Sequence, residues 1–88
     1  WSVLYTRLMH YRTSTGMEVD FVLENRRKEL VGIKVKATTT VTSKDFNGLR
    51  HLRETTPEQF KRGLLLYTGE QVVPFDQQLL AVPIGMFI

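Results

Sequence analysis

Two short runs of alternating residues, joined by a polar turn, constrain the fold of this chain most strongly. Residues 17–24 (MEVDFVLE) and 29–37 (ELVGIKVKA) alternate along their length, and the turn between them reads NRRK. Alternation with period two is typical of β-strands, because successive side chains point to opposite faces of a sheet. So short a turn joins antiparallel neighbours. The sequence therefore predicts a β-hairpin over residues 17–37.

The flanking segments extend this hairpin into a larger sheet. Residues 3–13 are rich in β-branched and aromatic residues, and a turn signal at 14–16 links them to the hairpin, which predicts a three-stranded meander over 3–37. Ser43 is a good helix N-cap, and apolar residues at helical spacing predict an amphipathic helix over 44–54. After a loop at 55–62, we expect further strands at 63–69, 72–75 and 79–83.

This element order predicts the fold class. A helix between two strands favours a parallel crossover, so the order β-β-β-α-β-β indicates a mixed sheet with a helix on one face, an α/β fold with α+β character. We expect the opposite face to be partly exposed, through residues such as Val22 and Leu30, and to be covered by a helix upstream of Trp1. The expected core residues are Val19, Phe21, Val31, Ile33, Val35, Phe46, Leu49, Leu52, Leu64 and Leu66.

Length and composition indicate a single small domain, spanning residues 1–88. The absence of cysteine excludes disulfides and thiolate metal sites and fits a cytoplasmic protein. The longest apolar run, at 79–88, contains Pro and Gly and is half the length of about twenty residues that a membrane helix needs, so we expect no membrane partner. The net charge of +3 permits nucleic-acid contact, although the basic residues are spread along the chain. Because the first residue is Trp1 rather than Met, we expect a fragment of a longer protein.

The hairpin carries two acids and two lysines at positions that face each other. Glu18 and Asp20 are two apart on one strand, and Lys34 and Lys36 are two apart on the next. With a turn at 25–29, Asp20 faces Lys34 and Glu18 faces Lys36; with a shorter turn, Glu18 faces Lys34. Cross-strand pairs of opposite charge stabilise a sheet by roughly 0.2–1 kcal/mol each. Structural ion pairs therefore account for the pattern without any chemistry.

Five blocks of the chain, in order and spacing, resemble a known prokaryotic domain. The family is the C-terminal, nuclease-like domain of unknown function that follows a P-loop ATPase domain in AAA-type ATP-binding proteins. Its fold is similar to that of the PD-(D/E)xK, or restriction endonuclease-like, superfamily, here without its first helix. The resemblance covers residues 5–88. The blocks are YRTSTGMEVDFVLE, GIKVKA, DFNGLRHL, RGLLLYTGE and LLAVPIGMFI.

This resemblance implies roles for the charged residues. The acid of the second strand falls on Asp20 and the catalytic-type lysine on Lys36, but Lys34 stands where an acidic metal ligand is expected. An ammonium group at a position for a hard divalent cation opposes binding. The resemblance therefore implies a vestigial site. Mg²⁺ would bind only in an active nuclease, through Asp20 with Glu18 as substitute ligand, and ATP would bind in the upstream domain, since these residues contain no GxxxxGK[ST] motif.

Three functions remain open from the sequence. The first is an accessory or interaction domain that acts with an upstream ATPase domain in the same chain. The second is a non-specific nucleic-acid binder that uses Arg12, Lys34 and Lys36 on DNA. The third is a metal-dependent nuclease with an altered ligand set. The exposed apolar face additionally predicts a homodimer.

Overall fold

The predicted hairpin forms the second and third strands of a six-stranded sheet in a computed structural model, which describes residues 5–14 and 16–87. The elements follow the predicted order β-β-β-α-β-β, with one helix between the third and fourth strands and one short edge strand more than that order contains. They are β1 (Tyr5–Arg12), β2 (Glu18–Asn25), β3 (Leu30–Val35), a 3-10 turn (Ser43–Phe46), α1 (Asn47–Thr55), β4 (Phe60–Tyr67), β5 (Val73–Pro74), β6 (Leu79–Pro83) and a second 3-10 turn (Ile84–Phe87). Residues 3 and 4 of the predicted first strand lie outside the described residues.

The sheet is mixed, as predicted, with strand order β1-β2-β3-β4-β6-β5. The meander β1-β2-β3 is antiparallel, β3, β4 and β6 run parallel to one another, and β5 pairs antiparallel with β6 at the edge. The helix α1 therefore lies on a crossover between parallel neighbours. Among the described residues, no helix has the length and apolar character needed to span a membrane.

Side chains and special backbone conformations form the two turns of the meander. Asn25 accepts hydrogen bonds from the backbone N–H groups of Arg27 (2.9 Å) and Glu29 (3.0 Å), which closes the β2–β3 turn. Lys28 takes a left-handed φ of 66° within it. In the β1–β2 turn Gly16 has a φ of 89°, a conformation that glycine adopts without strain. These local interactions fix the register of both hairpins.

The prediction of which sheet face is buried was wrong for most of the strand residues. Val22 and Leu30, which we expected on the open face, are only 2% and 5% exposed and pack under the helix. Phe21 and Val35, which we expected in the core, are 38% and 39% exposed. By strand alternation the remaining strand residues of the expected core, except Val19, also lie on the face away from α1: Val31, Ile33, Leu64 and Leu66. The core prediction is confirmed for Val19, Val31, Phe46, Leu49 and Leu52, although Val31, at 7% exposure, is buried on the face away from α1.

A pair of glycines explains why the helix lies on the face that was expected to be open. Gly32 of β3 and Gly63 of β4 are directly opposite each other in the sheet. A Cβ atom at Gly32 would come 2.8 Å from Cδ2 of Leu49, and one at Gly63 would come 3.3 Å from the same atom. Glycine inside a strand often marks such a close approach. The two glycines leave the space into which the fully buried Leu49 packs.

A β-bulge in β2 is the second reason why the buried face of the sheet differs from the prediction. Met9 pairs with Val22 and Tyr11 pairs with Val19, so between these pairs two residues of β2 lie opposite one residue of β1. The extra residue breaks the alternation, and Val19 and Val22, although three apart in sequence, both face the helix. A bulge that shifts side chains between faces cannot be recognised from a simple alternating pattern.

Two element boundaries also differ from the prediction. The strand β4 begins at Phe60, inside the segment expected to be a loop, because Phe60 already pairs with Leu30 of β3; its side chain is buried at 2% exposure. Only four residues separate Phe60 from the end of α1, and its N–H donates to the carbonyl of Thr56 across this short turn (2.9 Å). The helical segment is capped by Thr42 rather than Ser43, and it opens with a 3-10 turn.

Candidate functional site

The sequence-predicted charged residues meet at the carboxyl end of β3, beside the start of the helical segment. Open sheets with parallel strands commonly bind ligands at the carboxyl ends of those strands. An open cavity of about 440 Å³ lies at this position. Its polar lining comes mainly from Glu18, Lys34, Lys36, Lys44, Asp45 and Asn47. The topology therefore brings both members of the lysine pair to one place.

Lys34 lies between the two acids of β2. Its Nζ is 3.3 Å from Oε1 of Glu18 and 3.6 Å from Oδ1 of Asp20, and its side chain is 24% exposed. Phe21 lies opposite Ile33, which is the register expected for the longer of the two possible turns. The predicted pairing of Asp20 with Lys34 is confirmed, and Glu18 shares the same ammonium group.

The Asp20 carboxylate also has a structural role at the end of the hairpin. Its Oδ2 accepts a hydrogen bond from the backbone N–H of Val35 (2.7 Å), beyond the last described pair of the β2–β3 ladder, Phe21 opposite Ile33. On the other side of the bulge, Nδ1 of His10 donates to the backbone carbonyl of Asp20 (2.6 Å). A carbonyl oxygen only accepts, so this contact fixes the proton on Nδ1. Both hydrogen bonds hold the bulge in one geometry.

Lys36 does not face Glu18, and that prediction was wrong. The strand β3 ends at Val35, so Lys36 lies beyond the ladder and forms its ion pair with Asp45 of the 3-10 turn. The Asp45 side chain is 5% exposed and also accepts a hydrogen bond from the backbone N–H of Thr42 (2.9 Å). Burial opposes ionisation of Asp45, but hydrogen bonds from Lys36 and Thr42 outweigh it and hold its pKa below the ordinary value. The pair therefore joins the end of β3 to the beginning of the helical segment.

Two further basic residues border the site. Arg12 has a side chain that is 79% exposed, with its Nε 3.9 Å from Oε2 of Glu18. Lys44 lines the cavity and is exposed, and it forms no ion pair within the described part of the chain. Lys44 is therefore the cation of this cavity that is most free to contact an external anion.

The acids do not fit a divalent metal ion. Hard cations need several oxygen ligands, whereas the ammonium group of Lys34 lies against both carboxylates and Asp20 is also engaged with the backbone. Within residues 5–14 and 16–87, no group of three or more His, Asp or Glu side chains is arranged to hold a metal. The arrangement can stabilise the hairpin and attract anions through its outer lysines.

A second open cavity of about 550 Å³ lies on the face of the sheet away from α1. It shares Glu18 and Val35 with the first cavity, so the two meet at the end of the hairpin. Its wall includes Phe21 and His10, whose ring centroids are 5.8 Å apart with an interplanar angle of 44°. This cavity combines exposed aromatic surface with the charged residues Arg12, Glu18 and Asp20.

Sequence reasoning missed three residues of this region: Lys44, Asp45 and His10. For Asp45 a signal existed, because an acid three residues after Thr42 matches the spacing of a capping box at the start of a helix that follows β3. The contact of His10 arises from the bulge in β2, which the sequence pattern does not reveal.

The comparisons with known proteins give one match. The family model described as a domain of unknown function, DUF4143, matches residues 2–87. Searches of curated proteins and of solved structures found no match. Because the family model spans almost the whole chain, the protein belongs to the DUF4143 family.

Proposed function

We propose that this domain is a non-catalytic accessory domain of a AAA-type ATPase-like protein and that it carries a degenerate PD-(D/E)xK site. One observation carries the proposal: the ammonium group of Lys34 lies 3.3 Å from Glu18 and 3.6 Å from Asp20. The ammonium group of Lys34 thus neutralises the acids that a nuclease of this kind would use to bind its metal ion. We do not propose the metal-dependent nuclease, because the ligand set does not fit.

The element order supports the restriction endonuclease-like part of the proposal. A three-stranded meander, a crossover helix and a strand parallel to β3 follow one another, as the resemblance implies. By the resemblance, Asp20 corresponds to the family's acid and Lys36 to its lysine, although β3 ends one residue before Lys36. The two residues have other partners here, since Asp20 binds Lys34 and the backbone while Lys36 binds Asp45.

The ATPase part of the proposal rests on the resemblance of the five sequence blocks. In such proteins the nucleotide binds to a P-loop in a preceding domain, so we place ATP there and the working location in the cytoplasm. The sequence encoded upstream of Trp1 tests this directly. A GxxxxGK[ST] motif after a strand supports the proposal, and an upstream region without a P-loop removes it.

The loss of the metal site is tested by calorimetric titration of the wild-type domain with Mg²⁺ and Mn²⁺, together with a DNA cleavage assay in the same buffers. We expect no heat of binding and no cleavage. Saturable binding of either metal would contradict the proposal and would mean that Glu18 or another acid serves as ligand despite Lys34.

A second function, weak and non-specific binding of DNA through its phosphates, is favoured by the basic lining of the first cavity. Lys34, Lys36 and Lys44 converge there, and Arg12 borders the same end of the hairpin. Glu18 and Asp45 offset part of this charge, so we expect affinities of roughly 10⁻⁴–10⁻⁶ M at physiological salt.

Simultaneous replacement of Lys34 and Lys36 by Ala should weaken DNA binding equally for all sequences and should flatten its salt dependence. Lys61→Ala is a matched control, because Lys61 is 56% exposed, pairs with Glu29 at 3.2 Å and lies at the amino end of β4, away from the site. Equal binding by the double variant would mean that the two lysines serve only the sheet.

A further inference from the structure

The second cavity has an exposed aromatic surface that the ion pairs of the first cavity do not explain. Phe21 is 38% exposed and is part of the cavity wall next to the imidazole of His10, which is also exposed. Most other side chains on this face of the sheet are aliphatic. Proteins that bind single-stranded nucleic acids stack bases on such exposed aromatic side chains and hold the backbone on nearby cations, which Arg12 and the lysines of the first cavity provide here.

The bulge holds the imidazole of His10 and the backbone of Phe21 in place, and the two rings lie beside each other. The imidazole of His10 donates to the carbonyl of Asp20, and the Asp20 carboxylate is bonded to the backbone of Val35 (2.7 Å). Phe21 follows Asp20 directly and pairs across the sheet with Ile33. A ring surface that is already fixed before binding loses little conformational entropy when a ligand stacks on it.

The charged residues suit the two cavities to different parts of a ligand, an uncharged group in the second cavity and an anion in the first. Glu18 and Asp20 on the wall of the second cavity disfavour a phosphate there, but they do not oppose an uncharged aromatic base. The first cavity, which meets the second at Glu18 and Val35, presents Lys36 and Lys44 to an anion. A nucleotide unit offers this combination, a flat uncharged base joined to a phosphate.

We propose that the cavity at Phe21 and His10 receives one nucleobase of a single-stranded nucleic acid, while a neighbouring phosphate contacts the lysines of the first cavity. This inference rests on the proposed nucleic-acid binding and adds a preference for single strands. In a duplex the bases are stacked on one another and cannot enter the cavity, whereas bases of a single strand are free to stack on aromatic side chains.

Fluorescence anisotropy with three labelled probes of equal length tests the inference: a single-stranded oligodeoxynucleotide, its duplex, and a single strand of abasic sites. We expect the wild-type domain to bind the normal single strand more tightly than the other two probes. Phe21→Ala should weaken binding of that strand about tenfold, to the level of the abasic strand, and leave abasic binding unchanged. Phe21→Trp should retain the preference, and a thermal melt of each variant checks that it is folded.

Phe75→Ala is the matched control, because Phe75 is 37% exposed but lies beside β5, stacked on Phe46. It should not change the ratio between normal and abasic strands. Equal affinity for these two strands, unaffected by Phe21→Ala, would overturn the inference and leave phosphate binding intact. Absence of binding to all three probes would overturn both the inference and the nucleic-acid function on which it rests.

Discussion

Gly48 should be a position where alanine, although a better helix former, destabilises the protein. This residue lies in the first turn of α1, directly against the backbone of Glu18. An added Cβ would come 3.0 Å from the carbonyl carbon and 3.3 Å from the nitrogen of Glu18, and closer still to the carbonyl oxygen. These are backbone atoms of a strand, so they cannot move aside as the end of a side chain can. The start of the helix would have to shift away from β2.

The two effects of Gly48→Ala have opposite signs, and their sizes decide the outcome. Glycine to alanine in a helix interior gains about 1 kcal/mol from helix propensity. Overpacking against a rigid neighbour costs typically about 1–3 kcal/mol and more where the backbone must move. We expect a net loss of about 2 kcal/mol, because the clash is with backbone. In a domain of this size that corresponds to a fall in Tm of about 8–16 °C.

Thermal and urea denaturation followed by circular dichroism measure this change. Gly85→Ala is the matched control, because among the described residues no atom outside Gly85 and its two chain neighbours lies within 4 Å of the position of its Cβ, and it should alter stability by less than about 0.5 kcal/mol. A Gly48→Ala protein with an unchanged or higher Tm would refute the reasoning, since helix propensity alone would then govern the position.

Three other predictions concern the sheet faces and the acid at the site. Val22→Ala should cost about 2 kcal/mol in urea denaturation and Val35→Ala less than about 0.5 kcal/mol, because Val22 is 2% and Val35 39% exposed; equal costs would contradict the assignment of faces. Burial opposes ionisation of Asp45, but its hydrogen bonds hold the pKa below the ordinary value. Ionised Asp45 therefore stabilises the folded state fully above the unfolded pKa of about 4, and this stabilisation is lost as the pH falls through the lower folded pKa. Asp45→Asn should therefore flatten the acid side of a Tm-against-pH profile, and an unaltered profile would count against this role. The open apolar face should drive self-association that sedimentation detects and that Leu8→Lys weakens, since Leu8 is 60% exposed; a clean wild-type monomer at high concentration would contradict it.

The element order could be predicted from the sequence because each element has a local signal. The alternating runs around the polar turn gave the β2–β3 hairpin, and the helical spacing of Phe46, Leu49 and Leu52 gave the helix. The buried face could not be predicted in the same way. It depends on where α1 packs, which Gly32 and Gly63 determine by leaving space for Leu49, and on the bulge in β2.

The same distinction applies to the site. The sequence limited the partner of Lys34 to Asp20 or Glu18, because each possible turn length fixes one register of the hairpin, and the longer turn is the one present. The pairing of Lys36 with Asp45 joins the end of β3 to the start of the helical segment, a contact that depends on the path of the connecting loop. Strand register carries no information about that path, so the sequence suggested Glu18 as the partner instead.

The central claim is that the Lys34 ammonium stands where a metal ion would otherwise bind. Its most direct test is the Tm of Lys34→Glu, measured in chelator and in Mn²⁺ beside the wild type and a Lys61→Glu control. The new carboxylate would adjoin Glu18 and Asp20, so we expect Lys34→Glu to be destabilised in chelator by like-charge repulsion. Mn²⁺ at a hundredfold excess over its Kd should restore about 2.7 kcal/mol to this variant, and it should leave the wild type and the control unchanged. A Lys34→Glu protein whose Tm does not respond to Mn²⁺ would contradict the claim, and would mean that these residues form structural ion pairs and nothing more.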